Sequence, residues 1–137
     1  MKILVIDGQG GGVGRSLVEK IAREYPEAVI VAVGTNANAT ANMLKGGSIE
    51  AATGENAVIY NCERTDLIIG PIGIIMANAM MGEITPAMAR AVSSSKAKVV
   101  LIPLNQTHAF IAGLKEKKVT EYIEDAIELI GDMVWER

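Results

Sequence analysis

The residues of this chain best suited to chemistry lie together near its amino terminus, in Asp7-Gly8-Gln9-Gly10-Gly11-Gly12-Val13-Gly14. Glycines let backbone N–H groups come close to a phosphate, and a helix that begins among them adds the positive end of its dipole. The plainer alternative is a tight turn with close helix packing. Five glycines in seven residues exceed what a turn requires and cost chain entropy on folding, which favours phosphate binding. Asp7 would repel an anion unless its carboxylate turns away to cap the loop's own N–H groups or to hold Mg²⁺; capping is the expected role.

Spacing separates the phosphate loops that share this vocabulary. A Walker loop, G-x-x-x-x-G-K-[ST], ends well on Gly14-Arg15-Ser16 but needs glycine where Gln9 stands, and Arg15 replaces its lysine. The deviant loop of partitioning-type ATPases needs lysine at Gly10, so both lose their phosphate-contacting cation and ATP hydrolysis is disfavoured. The dinucleotide fingerprint G-x-G-x-x-G fits Gly8 and Gly10 but meets Val13 where its third glycine belongs. Gly8-x-x-x-Gly12-x-Gly14 resembles the nucleotide-binding loop of the short-chain dehydrogenase/reductase family, with Asp7 where that family usually has threonine. The resemblance covers the first strand-helix-strand unit and implies NAD or NADP as ligand. That family's Tyr-x-x-x-Lys pair is missing: Tyr60, the nearest, is followed by Arg64. The acid that binds an NAD ribose is missing too, because Val33-Gly34-Thr35-Asn36 stands where it belongs; Thr35 and Asn36 could bond a ribose hydroxyl or a 2′-phosphate instead.

Other groups are weaker. His108, the only histidine, sits in Asn105-Gln106-Thr107-His108 past a strand end, where open α/β sheets place ligands; it is the one catalytic candidate, as acid or base, against a solvated turn residue. Gly70-Pro71-Ile72-Gly73 follows another strand and is expected to wall the same crevice. Asn78, inside an apolar stretch, either satisfies buried backbone or reads a base or nicotinamide amide. Cys62 reads as a small buried hydrophobe and Met76, Met80 and Met81 as packing. No cluster has metal-ligand spacing, and no metal is expected.

The elements that must position these groups follow from hydrophobic pattern. Lys2–Ile6 and Ala28–Val33 are continuous apolar runs, as in parallel strands covered on both faces. Between them Val13, Leu17, Val18 and Ile21 stripe a helix that ends at Tyr25-Pro26. Gly34–Asn42 is small and polar and runs through Met43 and Leu44 to a Gly46-Gly47 pair that should stop a helix; Ser48–Glu63 predicts a helical segment interrupted near Gly54, and Asp66–Ile69 a third strand. Ile74–Gly82 could be a short strand or a buried helical turn. Thr85-Pro86 is a helix start. Val99–Leu104 is a fourth strand, and Ala109–Ala112 lies too near for a parallel crossover, so the two are expected to form an antiparallel edge hairpin. A helix from Thr120 to Trp135 closes the chain. The expected fold is one α/β domain over 1–137: three-layer, Rossmann-like, mostly parallel, with that hairpin at its edge.

The chain's 137 residues, half of them hydrophobic, suffice for one packed core, and its net charge of -3 offers no field to capture nucleic acid or a membrane surface. One cysteine and no leader pattern point to the cytoplasm. As a whole the chain is similar to a short bacterial family of unknown function that shares the Ile-Asp-Gly-Gln-Gly-Gly-Gly run, which implies a Rossmann-like domain without an attached catalytic domain. The expected function is nucleotide or dinucleotide binding or sensing, with NAD(P) as the expected dinucleotide, by a homo-oligomer such as a dimer. The alternatives are a small enzyme for a phosphorylated or carboxylated metabolite and an assembly subunit with a vestigial loop.

Overall fold

The computed structural model describes residues 1–104 and 108–135. Five strands, β1 (Lys2–Asp7), β2 (Val29–Gly34), β3 (Glu50–Thr53), β4 (Leu67–Pro71) and β5 (Lys98–Ile102), form one sheet in the order β3-β2-β1-β4-β5. Every ladder is parallel: Ile3 pairs with Ile30 on one side and Leu67 on the other, and Gly70 with Leu101. Helices α1 (Gly12–Glu24), α2 (Ala37–Leu44), α3 (Glu55–Cys62), α4 (Pro86–Ser94) and α5 (Val119–Trp135) cover both faces. The fold is thus α/β, three-layer and Rossmann-like, as expected.

The continuous apolar strands are explained by two cores. Alternate residues Ile3, Val5, Ala32, Leu67 and Ile69 pack with Leu17, Val18 and Ile21 of α1, Met43 of α2 and Ile123 and Ile130 of α5. The intervening Leu4, Ile6, Val33 and Ile68 pack with Val58 of α3 and Met88 and Val92 of α4. A period of two along each strand sends neighbours to opposite faces, and both faces are filled.

Three readings of the pattern are corrected. Among the described residues there is no antiparallel edge hairpin: the Leu104 N–H turns back onto the Ile102 carbonyl at 3.0 Å and ends the strand, Leu114 N–H does the same onto Ile111 at 3.3 Å, and Phe110 is exposed. Among the described residues the apolar Ala109–Ala112 run belongs to no strand. The helical segment expected within Ser48–Glu63 is α3, which starts after Gly54 and buries Val58, but Glu50-Ala51-Ala52-Thr53 before it is an edge strand, because it is paired with β2 although alanine has little strand preference of its own. Ile74–Gly82 is neither strand nor helix throughout; a 3₁₀ turn at Ile72–Ile75 leads into successive turns. The α4 start is as expected: the Thr85 hydroxyl accepts from Met88 N–H at 3.1 Å with Pro86 at the first helical position.

Candidate functional site

The chain runs outward from β1 to β3 and returns to β4 on the other side, so the strand order reverses beside β1, where ligands of such sheets bind beyond the carboxyl ends. The glycine loop occupies that position. Gly11 N–H closes a turn onto the Gly8 carbonyl at 2.9 Å, and Gln9 (φ 49°) and Gly11 (φ 72°) take the left-handed conformation.

Asp7 fixes the loop from beneath. Its Oδ1 accepts from Gly8 N–H at 2.8 Å and its Oδ2 from Gly14 N–H at 2.7 Å, so the carboxylate caps the loop and aims away from any ligand above it. Burial pushes its pKa up; the two N–H bonds oppose that shift and the charge of Glu83 adds to it.

The glycines divide by what surrounds them. A Cβ on Gly8 would lie 2.6 Å from Thr35 Oγ1, on Gly11 2.6 Å from the Ala39 carbonyl, and on Gly14 2.8 Å from Asp7 Cβ, so these three are demanded by packing. A Cβ on Gly10 or Gly12 would meet nothing within 4 Å, and neither has a positive φ. Both are exposed. Among the described residues the N–H groups of Gly10, Gly12 and Val13 have no hydrogen-bond partner. Asn42 of α2 braces the loop by donating to the Gly10 carbonyl at 2.9 Å, and Arg15 in turn donates to Asn42 Oδ1 at 3.1 Å and pairs with Glu19 at 3.0 Å.

A strap of turns, residues 76–85, crosses above Gly8. It contains three non-glycine residues in the left-handed region, Asn78, Met80 and Met81, followed by Gly82. From it Glu83 Oε1 accepts from Gln9 N–H at 2.8 Å, Thr35 Oγ1 at 2.6 Å and Asn36 Nδ2 at 2.8 Å. The Thr35 hydroxyl is the chief reason that the Glu83 carboxyl lies below its ordinary pKa, with Gln9 N–H and Asn36 assisting against some burial. Asn36 also caps α2 through Ala39 N–H at 2.8 Å and donates to the Gln9 carbonyl at 3.0 Å.

The structure therefore brings Thr35 and Asn36 to the loop, as expected, but already bonded to a carboxylate from elsewhere. Pro71 reaches it too, lining with Gln9, Ile72, Gly73, Met80 and Leu104 a cavity of about 110 Å³. Gly70 is buried, and a Cβ there would strike the Ile6 carbonyl; it serves the close approach of β4 to β1. Asn78 is an exposed turn residue whose N–H donates to the Ile84 carbonyl at 2.7 Å and whose carbonyl accepts from Gly82. His108 is exposed and no described hydrogen bond joins it to the loop, while residues 105–107 lie outside the described residues. Cys62 is buried, its thiol pushed up to about 11 by burial and then by Glu63, so it is neutral and unreactive near pH 7. Among the described residues no cluster could hold a metal ion, and no helix is long and apolar enough to cross a membrane.

Glu83 and Asn42 were not singled out from the sequence. Glu83 is 48 residues from Thr35 and Asn42 is 32 from Gly10, and neither belongs to a local motif.

A parallel sheet with this strand order and a glycine loop at its switch point defines a Rossmann-like domain. The chain belongs to the family described as "Domain of unknown function (DUF3842)", whose model matches residues 2–134. The family gives no support to short-chain dehydrogenase/reductase membership in particular; that resemblance remains one of loop spacing. No curated protein matches the chain. Among solved structures it is similar to a dodecameric FMN-dependent UbiX-like decarboxylase from Escherichia coli O157:H7, at 20% identity over 96% of this chain and 76% of that one, with a TM-score of 0.48.

Proposed function

We propose that this protein is a nucleotide-binding module whose phosphate seat is the backbone of Gly10, Gly12 and Val13. The observation that carries the reading is the contrast among the glycines: packing accounts for Gly8, Gly11 and Gly14, and leaves Gly10 and Gly12 as glycines with open space where a side chain would be. Beside them three N–H groups without described partners stand at the start of α1, where the helix dipole favours an anion. Asp7 has its charge turned under the loop and does not compete for that place. The Gly8, Gly12, Gly14 spacing makes the dinucleotides NAD and NADP natural members of the ligand panel, beside ATP, FMN and ribose 5-phosphate. The proposal is one of binding or sensing by a homo-oligomer, and it assigns no reaction; His108 stands outside the described loop contacts.

Thermal denaturation against that panel tests it. At least one phosphorylated ligand at a hundred times its Kd should stabilise the fold by about 2.7 kcal/mol. Gly12→Ala, which adds a methyl into open space, should keep or slightly raise the unliganded Tm and weaken the ligand at least tenfold. No shift with any ligand, or a shift that Gly12→Ala leaves intact, would overturn the assignment.

A further inference from the structure

The ribose acid that a Rossmann-like site ordinarily carries on its second strand is absent from Thr35 and Asn36, yet a carboxylate stands there, delivered by the strap. We propose that Glu83 is the acceptor for a vicinal ribose diol, which makes the ligand class a ribonucleoside phosphate. The inference rests on the nucleotide reading above and assigns that site its sugar specificity.

Glu83 Oε1 takes all three donors that face it, Gln9 N–H, the Thr35 hydroxyl and one Asn36 amide hydrogen. The other Asn36 hydrogen goes to the Gln9 carbonyl, and its Oδ1 is taken by Ala39 N–H. Oε2 has no partner among the described residues. What the carboxylate presents at this corner is thus a charged acceptor whose position is fixed from three sides, with one oxygen unused. A phosphate here would meet like charge and no spare side-chain donor, whereas a hydroxyl pair would donate to it. The open N–H groups of Gly10, Gly12 and Val13 lie further along the same loop, so one ligand carrying a diol next to a phosphate satisfies both halves of the site. The depressed pKa of Glu83 keeps the acceptor ionised at neutral pH. The packing at Gly8 agrees: a Cβ there would stand 2.6 Å from Thr35 Oγ1, 2.7 Å from Met80 Sδ and 3.1 Å from Glu83 Oε1, so this glycine makes room for Thr35 and the strap rather than for a ligand.

Calorimetry with ADP, GDP, CDP and UDP, each paired with its 2′,3′-dideoxy counterpart, decides the matter. The wild type should bind at least one ribonucleotide about tenfold or more tightly than its dideoxy form, the worth of hydrogen bonds to a charged acceptor. Glu83→Gln should bring that ratio below threefold. Equal binding of ribo and dideoxy forms by the wild type would overturn the diol assignment and leave nucleotide binding standing. Tighter binding of both forms by Glu83→Gln would overturn it as well, showing a carboxylate that plugs the site. No binding by any of the eight would remove this inference, and with a flat thermal panel the nucleotide reading also. The wild-type comparison stands by itself if Glu83→Gln fails to fold.

Discussion

Asp7 spends its charge on its own loop. The Gly8 and Gly14 N–H groups it accepts are buried with it, and no other described group reaches them. Replacing Asp7 by Ala leaves two donors unpaired, each costing about 1–3 kcal/mol, and removes a buried charge that offsets part of that cost, so the unfolding free energy in urea at pH 7 should fall; an unchanged midpoint would show that the cap is dispensable. Asp7→Asn offers one acceptor and one donor, so it should satisfy one N–H and oppose the other. The sign of the pH effect runs opposite to the usual carboxylate. Because burial raises the folded pKa, the ionised form costs the native state stability above the unfolded pKa, and that cost is relieved as pH falls through the folded pKa. The capping role was legible in sequence because a carboxylate abutting glycines has few uses. Gly8, Gly11 and Gly14 could not be told from Gly10 and Gly12 there, since what separates them is the proximity of Thr35, Ala39 and Asp7 in space.

At the scale of elements, the pattern read well wherever one segment's own periodicity decides its state: β1, α1, β2, the Thr85-Pro86 start of α4 and α5 all stand where hydrophobic spacing and capping put them. It failed where a partner decides. The strand at Glu50–Thr53 exists because β2 offers it a ladder, and the strap over Gly8 exists because Glu83 finds donors on two other loops. Three non-glycine residues in the left-handed region make the strap costly by itself, and the Glu83 bonds offset that cost. Here the pH effect has the ordinary sign. The lowered folded pKa contributes stability that is present above the unfolded value and lost as pH falls through the folded one. The stability advantage of wild type over Glu83→Gln should therefore be clear at pH 7 and vanish at acid pH, below the usual glutamate range. Denaturation midpoints of the two proteins measured across that range check it; a constant difference would mean that the charge of Glu83 does not hold the strap.

For the molecule as a whole, the two cores are filled on both sides of the sheet, yet apolar surface remains outside them. Met81 on the strap is 97% exposed and Phe110, beyond the end of β5, is 96% exposed, with Ile111 and Leu114 beside it. These residues follow β4 and β5, so the apolar surface borders the carboxyl edge of the sheet that carries the glycine loop. Side chains of that size gain about 1.5–3 kcal/mol each when covered, enough in pairs across a symmetric contact to drive association. Sedimentation equilibrium at micromolar concentration should then give a mass above one chain, and Phe110→Ser together with Met81→Ser should return it towards 14.5 kDa with the Tm nearly unchanged, because neither side chain enters a core. A wild-type mass of one chain would mean that this edge faces water in solution, and that the glycine loop works without a second copy.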